Sequence, residues 1–463
     1  MNYDIIVIGS GPGGYVAAIR AAQLGMKVAI VEKAEIGGIC LNWGCIPTKS
    51  LLKSSQVFDY LKHASDYGIT VTGDVKPDFS AMIARSRSVA DGMSKGVQFL
   101  LRKNNIEHIK GIGKLVSGKN VEVTDQSGTK SAISAKHIIL ATGARSKELP
   151  NLKQDGKRII GYREAMTLPE QPESMVVVGS GAIGSEFANF YQSIGTDVTL
   201  VEFLPRIVPN EDEEVSKQLE RSFKKIKMKV LTGSTVESAD TSGEKVRVTI
   251  KTPKGTEIIE TDIVLSAVGV TTNIEGIGLE ETGVKTGKGK VVVDEFYRTS
   301  VEGVYAIGDI VHGPALAHVA SAEAITCVEK IAGLDVQPID YNNIPACTYT
   351  TPEIASCGLT EQAAKDAGYE IKVGKFPFTA SGKASAAGAK DGFVKLIFDA
   401  AYGELLGAHL IGYNVTELIA EIVVARKLET TAHEIIKSIH PHPTMSEAIM
   451  EAAAAAYGEV IHL

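Results

Sequence analysis

One pattern occurs twice in this chain of 463 residues, and it dictates most of what the chain can fold into. Near the start, the β-branched run Tyr3–Ile8 meets Gly9-Ser10-Gly11-Pro12-Gly13-Gly14. A helical stretch then runs to Leu24, and a second apolar run, Val28–Val31, ends at Glu32. Further on, Met175–Val178 meets Gly179-Ser180-Gly181-Ala182-Ile183-Gly184, and after another helical stretch Val198–Val201 ends at Glu202. From first glycine to acid is 23 residues both times (9 to 32, 179 to 202). Gly9 and Gly179 suit a tight turn, Gly11 and Gly181 let a pyrophosphate approach the backbone, and Gly14 and Gly184 let helix and strand pack closely. Glu32 and Glu202 then hold ribose hydroxyls. Glycines alone would specify only turns; strand, turn, helix, strand and acid together specify a dinucleotide-binding unit. The expected fold class is α/β, with two Rossmann-like dinucleotide-binding domains.

Each unit is followed by a closing strand: Ile138–Leu140 leads into Ala141-Thr142-Gly143, and Ile263–Ala267 leads into Val268-Gly269. Pro150, Pro169 and Pro172 punctuate the link between the halves. A third glycine signal, Val304-Tyr305-Ala306-Ile307-Gly308-Asp309, follows a further strand. The last stretch changes character, with the runs Phe393–Phe398 and Leu405–Ile411, a helix over Glu417–Lys427 and an Ala-rich helix from Met445 to Tyr457. The expected domains are residues 1–148, 149–271, a central segment 272–342 that completes the first site, and a C-terminal α+β domain, 343–463.

Hydrophobic residues are 44% and charged residues 22%, ordinary globular usage that excludes disorder. The net charge of −7 gives no reason to expect a nucleic-acid partner. No apolar run approaches the roughly 18 residues of a membrane span. Met1 to Gly14 reads as a first strand rather than a leader, so a cytoplasmic location is expected. Five cysteines, Cys40, Cys45, Cys327, Cys347 and Cys357, are too few for a structural disulfide framework.

Two dinucleotides in one chain suggest one tightly held and one exchanging, with electrons passing between them: a flavin and a nicotinamide. Glu202 would repel a 2′-phosphate, and Phe203 and Leu204 bring no cation, which favours NAD over NADP; only Arg206 could reach in.

Cys40-Leu41-Asn42-Trp43-Gly44-Cys45-Ile46-Pro47-Thr48-Lys49 lies just after the first fingerprint. In a regular helix, residues five apart lie about 8.7 Å apart, beyond the ~4.4–6.8 Å of a disulfide. The pair can bridge only if the chain turns first, which Gly44 permits. Pro47 suits a first helical turn, so Cys45 would sit at a helix N-terminus that stabilises a thiolate, with Lys49 on the same face. Two buried thiols near a turn is the bland alternative; a metal site lacks further nearby ligands. In the C-terminal His440-Pro441-His442-Pro443-Thr444-Met445-Ser446-Glu447, histidine suits acid–base work near neutral pH. Glu447 is close enough to fix its tautomer, but Thr444-x-x-Glu447 also fits a capping box, and the two roles compete.

The chain resembles the pyridine nucleotide–disulfide oxidoreductases, and most of all their dihydrolipoamide-oxidising members. The resemblance covers essentially the whole chain and rests on GSGPGG at 9–14, GGICLNWGCIPTKSLL at 37–52, ATGA at 141–144, GSGAIGSE at 179–186, YAIGDI at 305–310, ALAH at 315–318 and HPHPTMSE at 440–447.

The resemblance implies FAD in the first fingerprint and NAD in the second. Cys40 and Cys45 become a redox disulfide. Lys49, Gly113, Ala141, Thr142, Gly143, Gly308, Asp309, Ala315, Leu316, Ala317 and His318 join the FAD site, Asp309 on the ribitol. Glu186, Val236 and Gly269 join the NAD site, and Lys49 pairs with Glu186 beside the flavin. Taken singly, Asp309 could cap a helix, Glu186 could be a first-turn acid and Lys49 a solvated lysine.

His442 becomes the base, oriented by Glu447 and supplied by the other subunit of a homodimer; His440 is left structural. The implied reaction reoxidises dihydrolipoamide on a lipoyl domain, of a 2-oxo acid dehydrogenase complex or a glycine cleavage system, with NAD+. Another NAD(P)H-dependent disulfide reductase, or a non-catalytic docking subunit, is the alternative. One departure stands out: Val268-Gly269 is followed by Val270-Thr271-Thr272-Asn273, without the arginine most relatives carry.

Overall fold

The computed structural model describes residues 2–117 and 119–463; Met1, the head of the stretch read as a first strand, lies outside them. The chain divides into two compact units. The first comprises Met1–Ser50, Ala81–Lys147 and Gly269–Ile339. Its sheet is built on β1 (Asn2–Ile8), whose side chains at Ile5–Val7 are wholly buried, as a parallel strand covered on both faces requires. Helix α1 (Pro12–Gln23) crosses to β2 (Val28–Glu32). Then come α2 (Gly38–Trp43), α3 (Cys45–Lys62), which continues into the second unit, and α4 (Phe79–Lys103). Strands β3 (Glu107–Lys110), β4 (Ile112–Ser117), β5 (Asn120–Thr124), β6 (Lys130–Leu140) and the short β7 (Ala144–Ser146) follow.

The sheet order is β3-β2-β1-β6-β5-β4. Ile8 is in register with both Val31 and Leu140. Gly9, Glu32 and Ala141 therefore emerge side by side at the carboxyl ends of parallel strands, where open α/β sheets bind ligands. β6 is long enough to serve two partners on the edge opposite β1. Its first half pairs antiparallel with β5, and its last turn, Ile138–Leu140, pairs parallel with the strand Val304–Ala306. The Ile307 N–H bonds to the Leu140 carbonyl at 3.0 Å. Register alone thus carries Gly308 and Asp309 to the same sheet edge as Gly9.

The second unit comprises Leu51–Ser80, Glu148–Val268 and Asp340–Leu463. Its parallel sheet repeats the first unit's logic. The strand Ser174–Val178 pairs with Asp197–Val201 and with Ile263–Ser266, so Gly179, Glu202 and Ala267 leave one edge together. A three-stranded antiparallel sheet follows Thr235–Asp240, Val246–Thr252 and Gly255–Thr261.

The C-terminal part is a five-stranded antiparallel sheet in which Phe393–Asp399 and Leu405–Gly412 are buried along their whole length. Helices Val415–Lys427 and Glu447–Ala456 supply residues to its core, among them Ile419, Ile422, Ile449 and Ala452. Buried Lys395 on this sheet is neutralised by Asp212 (3.0 Å), Glu214 (3.0 Å) and Glu361 (2.7 Å). The last helix starts at Glu447, two residues after the expected Met445. Thr444 is held outside it, its hydroxyl donating to the Pro441 carbonyl and its N–H to Glu447.

Candidate active site

The glycines of each fingerprint divide by what a side chain would meet. At Gly9 (φ 102°) a Cβ would overlap the Ala141 carbonyl, and at Gly14 the Gly9 carbonyl. At Gly11 it would meet nothing within 4 Å. Gly179 (φ 97°), Gly184 and Gly181 repeat this division. The first and third glycines are consumed by packing, whereas the middle one leaves open space at a helix N-terminus, the shape a pyrophosphate needs.

The acids are pre-set by serines that sequence reasoning passed over. Ser10, fully buried, donates its N–H (2.8 Å) and hydroxyl (2.7 Å) to Glu32 Oε2, while Glu32 Oε1 takes the Ala34 N–H. Ser180 does the same for Glu202 (2.9 and 2.6 Å), and Leu204 N–H takes the other oxygen. The identical Gly-Ser-Gly in both repeats was the available signal. Arg206, which could have reached the second site, donates to the Pro209 carbonyl at 3.0 Å.

Around the first cradle, Gly308 (φ 76°) gives its N–H to buried Glu323 at 2.6 Å, an anchor with no local sequence signal. Asp309 does not cap a helix: it lies inside the short turn Gly308–Ile310. Its carboxyl accepts no hydrogen bond from a described residue, and burial pushes its pKa up. Such a group fits a hydroxylated ligand better than it fits an empty fold. Ala315 precedes Leu316, the N-cap of the helix Ala317–Ile331, so Ala317 and His318 present first-turn N–H groups. Thr142 and Asn273 exchange hydrogen bonds, and Gly143 (φ 66°) accepts from Asn273 N–H. Gly113 lies in β4, where its Cβ would come to 3.0 Å from Ile8.

The cysteine segment is docked on this cradle. Gly37 N–H bonds to the Ser10 carbonyl, and a Cβ at Gly38 would come to 2.6 Å from Gly11 Cα. Cys40 lies in α2, Gly44 breaks the chain direction (φ −145°, ψ −113°), and Cys45 opens α3. The turn that a bridge requires is therefore made. The Cys40 side chain lies within hydrogen-bond reach of Cys45. The bond to Cys45, then burial, raises the Cys40 pKa against the pull of the Lys49 charge.

In the second unit, Glu186 is buried on the helix Ala182–Ile194, beyond its first turn, and accepts the Tyr349 N–H at 2.9 Å. Tyr349 was not singled out in the sequence. The Val236 carbonyl is taken by Asn151. Gly269 (φ 105°) accepts from Lys147 N–H at the head of the first unit's returning segment, and Val270 enters a strand paired with β7.

His442 is 79% exposed, and its Nδ1 meets Glu447 Oε1 at 2.9 Å. Glu447 Oε2 takes the Thr444 N–H at 2.7 Å, but Ser446 is the N-cap and no side chain caps this helix, so the expected capping box does not form and the carboxylate is left to orient His442. Burial works against the charge on Glu447, but the Thr444 N–H and His442 hold its pKa below the usual carboxylate value. His440 is tied at both nitrogens, to Glu421 (2.8 Å) and the Ser438 carbonyl (3.0 Å).

Residues 3–324 match the family described as pyridine nucleotide-disulphide oxidoreductase, and residues 344–453 match its dimerisation domain. The chain belongs to the pyridine nucleotide-disulphide oxidoreductase family. Dihydrolipoyl dehydrogenase from Zymomonas mobilis is 50% identical over 100% of this chain and 99% of its own length. Dihydrolipoyl dehydrogenase from Rhizobium etli is 49% identical, with 100% and 99% covered. Among solved structures, LpdA from Mycobacterium tuberculosis superposes with a TM-score of 0.90 at 29% identity, covering 97% of this chain and 99% of that one. The oxidoreductase fold expected from the fingerprints is thus the fold of the family. Among the described residues no helix is long and apolar enough to cross a membrane, and no cluster of His, Cys, Asp or Glu could hold a metal.

Proposed function

We propose that this chain is a dihydrolipoyl dehydrogenase that reoxidises protein-bound dihydrolipoamide with NAD+. The observation that carries the reading is the contact of Gly37 and Gly38 with Ser10 and Gly11, which starts the Cys40–Cys45 segment on the first dinucleotide cradle. FAD occupies that cradle, with Glu32, Asp309 and the Ala317 helix N-terminus around it; NAD+ occupies the second, held by Glu202. Lys49 serves the flavin side and Glu186 the nicotinamide side. The division runs 1–148 for FAD, 149–271 for NAD, 272–342 completing the FAD site and 343–463 for the subunit interface.

His442 of the partner subunit takes a proton on Nε2 from one substrate thiol, and Glu447 on Nδ1 stabilises the imidazolium. The substrate thiolate attacks Cys40, the Cys40–Cys45 bond breaks, and Cys45 leaves as a thiolate at a helix N-terminus. The second substrate thiol displaces Cys40, releasing lipoamide and leaving the reduced pair. FAD bound in the first cradle would supply the two-electron redox chemistry that links the reduced Cys40–Cys45 pair to NAD+.

The homodimer, with lipoyl domains of a 2-oxo acid dehydrogenase complex or glycine cleavage system as partners, and the cytoplasmic location belong to the same reading. The test is anaerobic titration of the yellow holoenzyme with dihydrolipoamide. The flavin spectrum should change on addition and recover with NAD+ but not NADP+. A flavin untouched by dihydrolipoamide yet reduced by NADPH would refute the reading.

A further inference from the structure

Four side chains on α4 hold four carbonyls of the redox segment. Ser94 Oγ donates to Ile36 (2.8 Å), Arg87 Nη2 to Asn42 (2.5 Å), Ser86 Oγ to Pro47 (3.1 Å) and Arg85 Nη1 to Ser50 (2.9 Å). Arg87 differs from the others in three ways. Its acceptor, the Asn42 carbonyl, is among the last of α2, so the guanidinium caps that helix where its dipole is negative. Its guanidinium also lies 4.5 Å from the centre of the Trp43 ring, a cation–π contact with the residue two places before Cys45. And its Nε is buried without a hydrogen-bond partner among the described residues, while burial lowers its pKa. A fold normally avoids leaving a buried guanidinium N–H unpaired. Here the cost holds one planar group against both Asn42 and Trp43.

These two residues sit between Cys40 and the break at Gly44. Asn42 is fixed from its other end as well: its side chain donates to the carbonyls of Ile36 (3.0 Å) and Gly38 (2.9 Å). We propose that Arg87 is a positioning residue for the redox pair: by capping α2 and clamping the Trp43 ring it sets the turn at Gly44, and so the approach of Cys40 to Cys45. The inference rests on the dithiol chemistry proposed above. It assigns Arg87 no contact with substrate or cofactor.

The test uses Arg87→Leu and Arg87→Lys holoenzymes with flavin content measured. NADH oxidation by ferricyanide draws electrons from the flavin without the cysteines, whereas dihydrolipoamide oxidation needs them. Arg87→Leu should slow dihydrolipoamide turnover about tenfold or more and leave ferricyanide turnover within about twofold, because misplaced reacting groups lose rate steeply. Arg87→Lys, which restores a cation beside Trp43, should recover part of the loss. Equal loss of both activities, or loss of neither, overturns the proposal.

A second readout needs no lipoamide. In a glutathione redox buffer, Arg87→Leu should shift the Cys40–Cys45 equilibrium toward the dithiol by about tenfold, since loosely held sulfurs meet less often. An unchanged equilibrium overturns the placement of Arg87 even if the lipoamide reading stands. A wild-type enzyme inert to dihydrolipoamide refutes that reading alone.

Discussion

Glu447 gives one carboxylate oxygen to His442 and the other to the Thr444 N–H, just ahead of its own helix. The second bond makes the first rigid: the carboxylate cannot rotate away from Nδ1 without giving up the Thr444 N–H. With Nδ1 engaged, Nε2 of an exposed ring is the nitrogen left to face substrate.

That geometry makes Glu447→Gln a graded lesion. It keeps an acceptor for the Thr444 N–H and loses the negative charge behind the imidazole. Dihydrolipoamide turnover should fall about 10–100-fold, and His442→Ala should cost about 10²–10⁴-fold. NADH–ferricyanide turnover should hold in both, and a parallel drop there would place these residues elsewhere.

If His442 acts across the subunit boundary, two dead enzymes should rescue each other. Mixing Cys40→Ser with His442→Ala under subunit exchange gives heterodimers with one intact centre, and activity should rise to about a quarter of wild type. Demonstrated exchange with no recovery would show that the site is not shared.

Glu202, braced by Ser180 and Leu204, faces the NAD ribose in the proposed site. Glu202→Ala should raise KM for NADH about tenfold or more, the scale of a lost charged hydrogen bond, and narrow the preference over NADPH. An unchanged cofactor ratio in steady-state kinetics would remove Glu202 from specificity.

The glycines of the second fingerprint should fail in different ways. Gly181 has φ −62° and open space, so Gly181→Ala should fold normally and bind NAD poorly. At Gly184 a Cβ would overlap the Gly179 carbonyl, so Gly184→Ala should lose at least about 1–3 kcal/mol of stability from overpacking. Thermal melts alongside NADH titration separate the two, and identical behaviour would contradict the division.

Glu211 carries a pH dependence of stability. Burial pushes its carboxyl up to about 7, with Ser356 bonding it and one oxygen left unpartnered. An acid raised in the fold stabilises fully below its unfolded pKa, near 4.5, and that stability is lost as pH rises through 7. Glu211→Gln should therefore match wild type near pH 4.5 and exceed it by up to about 3 kcal/mol at pH 8. Parallel urea melts at both pH values check this; a constant difference would mean Glu211 does not titrate in the window.

Much of the site was legible because it is local. The two glycine–acid repeats, the turn at Gly44, Cys45 at a helix start and Glu447 within reach of His442 all follow from residues a few positions apart, whose backbone sterics admit few conformations. Ser10 and Ser180 were equally local but were missed, because a serine between glycines reads as loop chemistry until the acid it donates to is placed in space. The start of the last helix was set two residues early because Ala-rich composition does not reveal that Thr444 is held outside it.

By itself the sequence determined the two strand–glycine–helix–strand–acid units and the turn between Cys40 and Cys45, since short-range sterics and spacing are written residue by residue. Only the tertiary structure decided that Asp309 emerges beside Ala141, that Glu323 anchors Gly308, that Tyr349 meets Glu186 and that Arg87 reaches Asn42 and Trp43. Those contacts depend on strand register and helix packing across tens to hundreds of residues. Such pairings are chosen by the total burial of the fold, and no local pattern announces them.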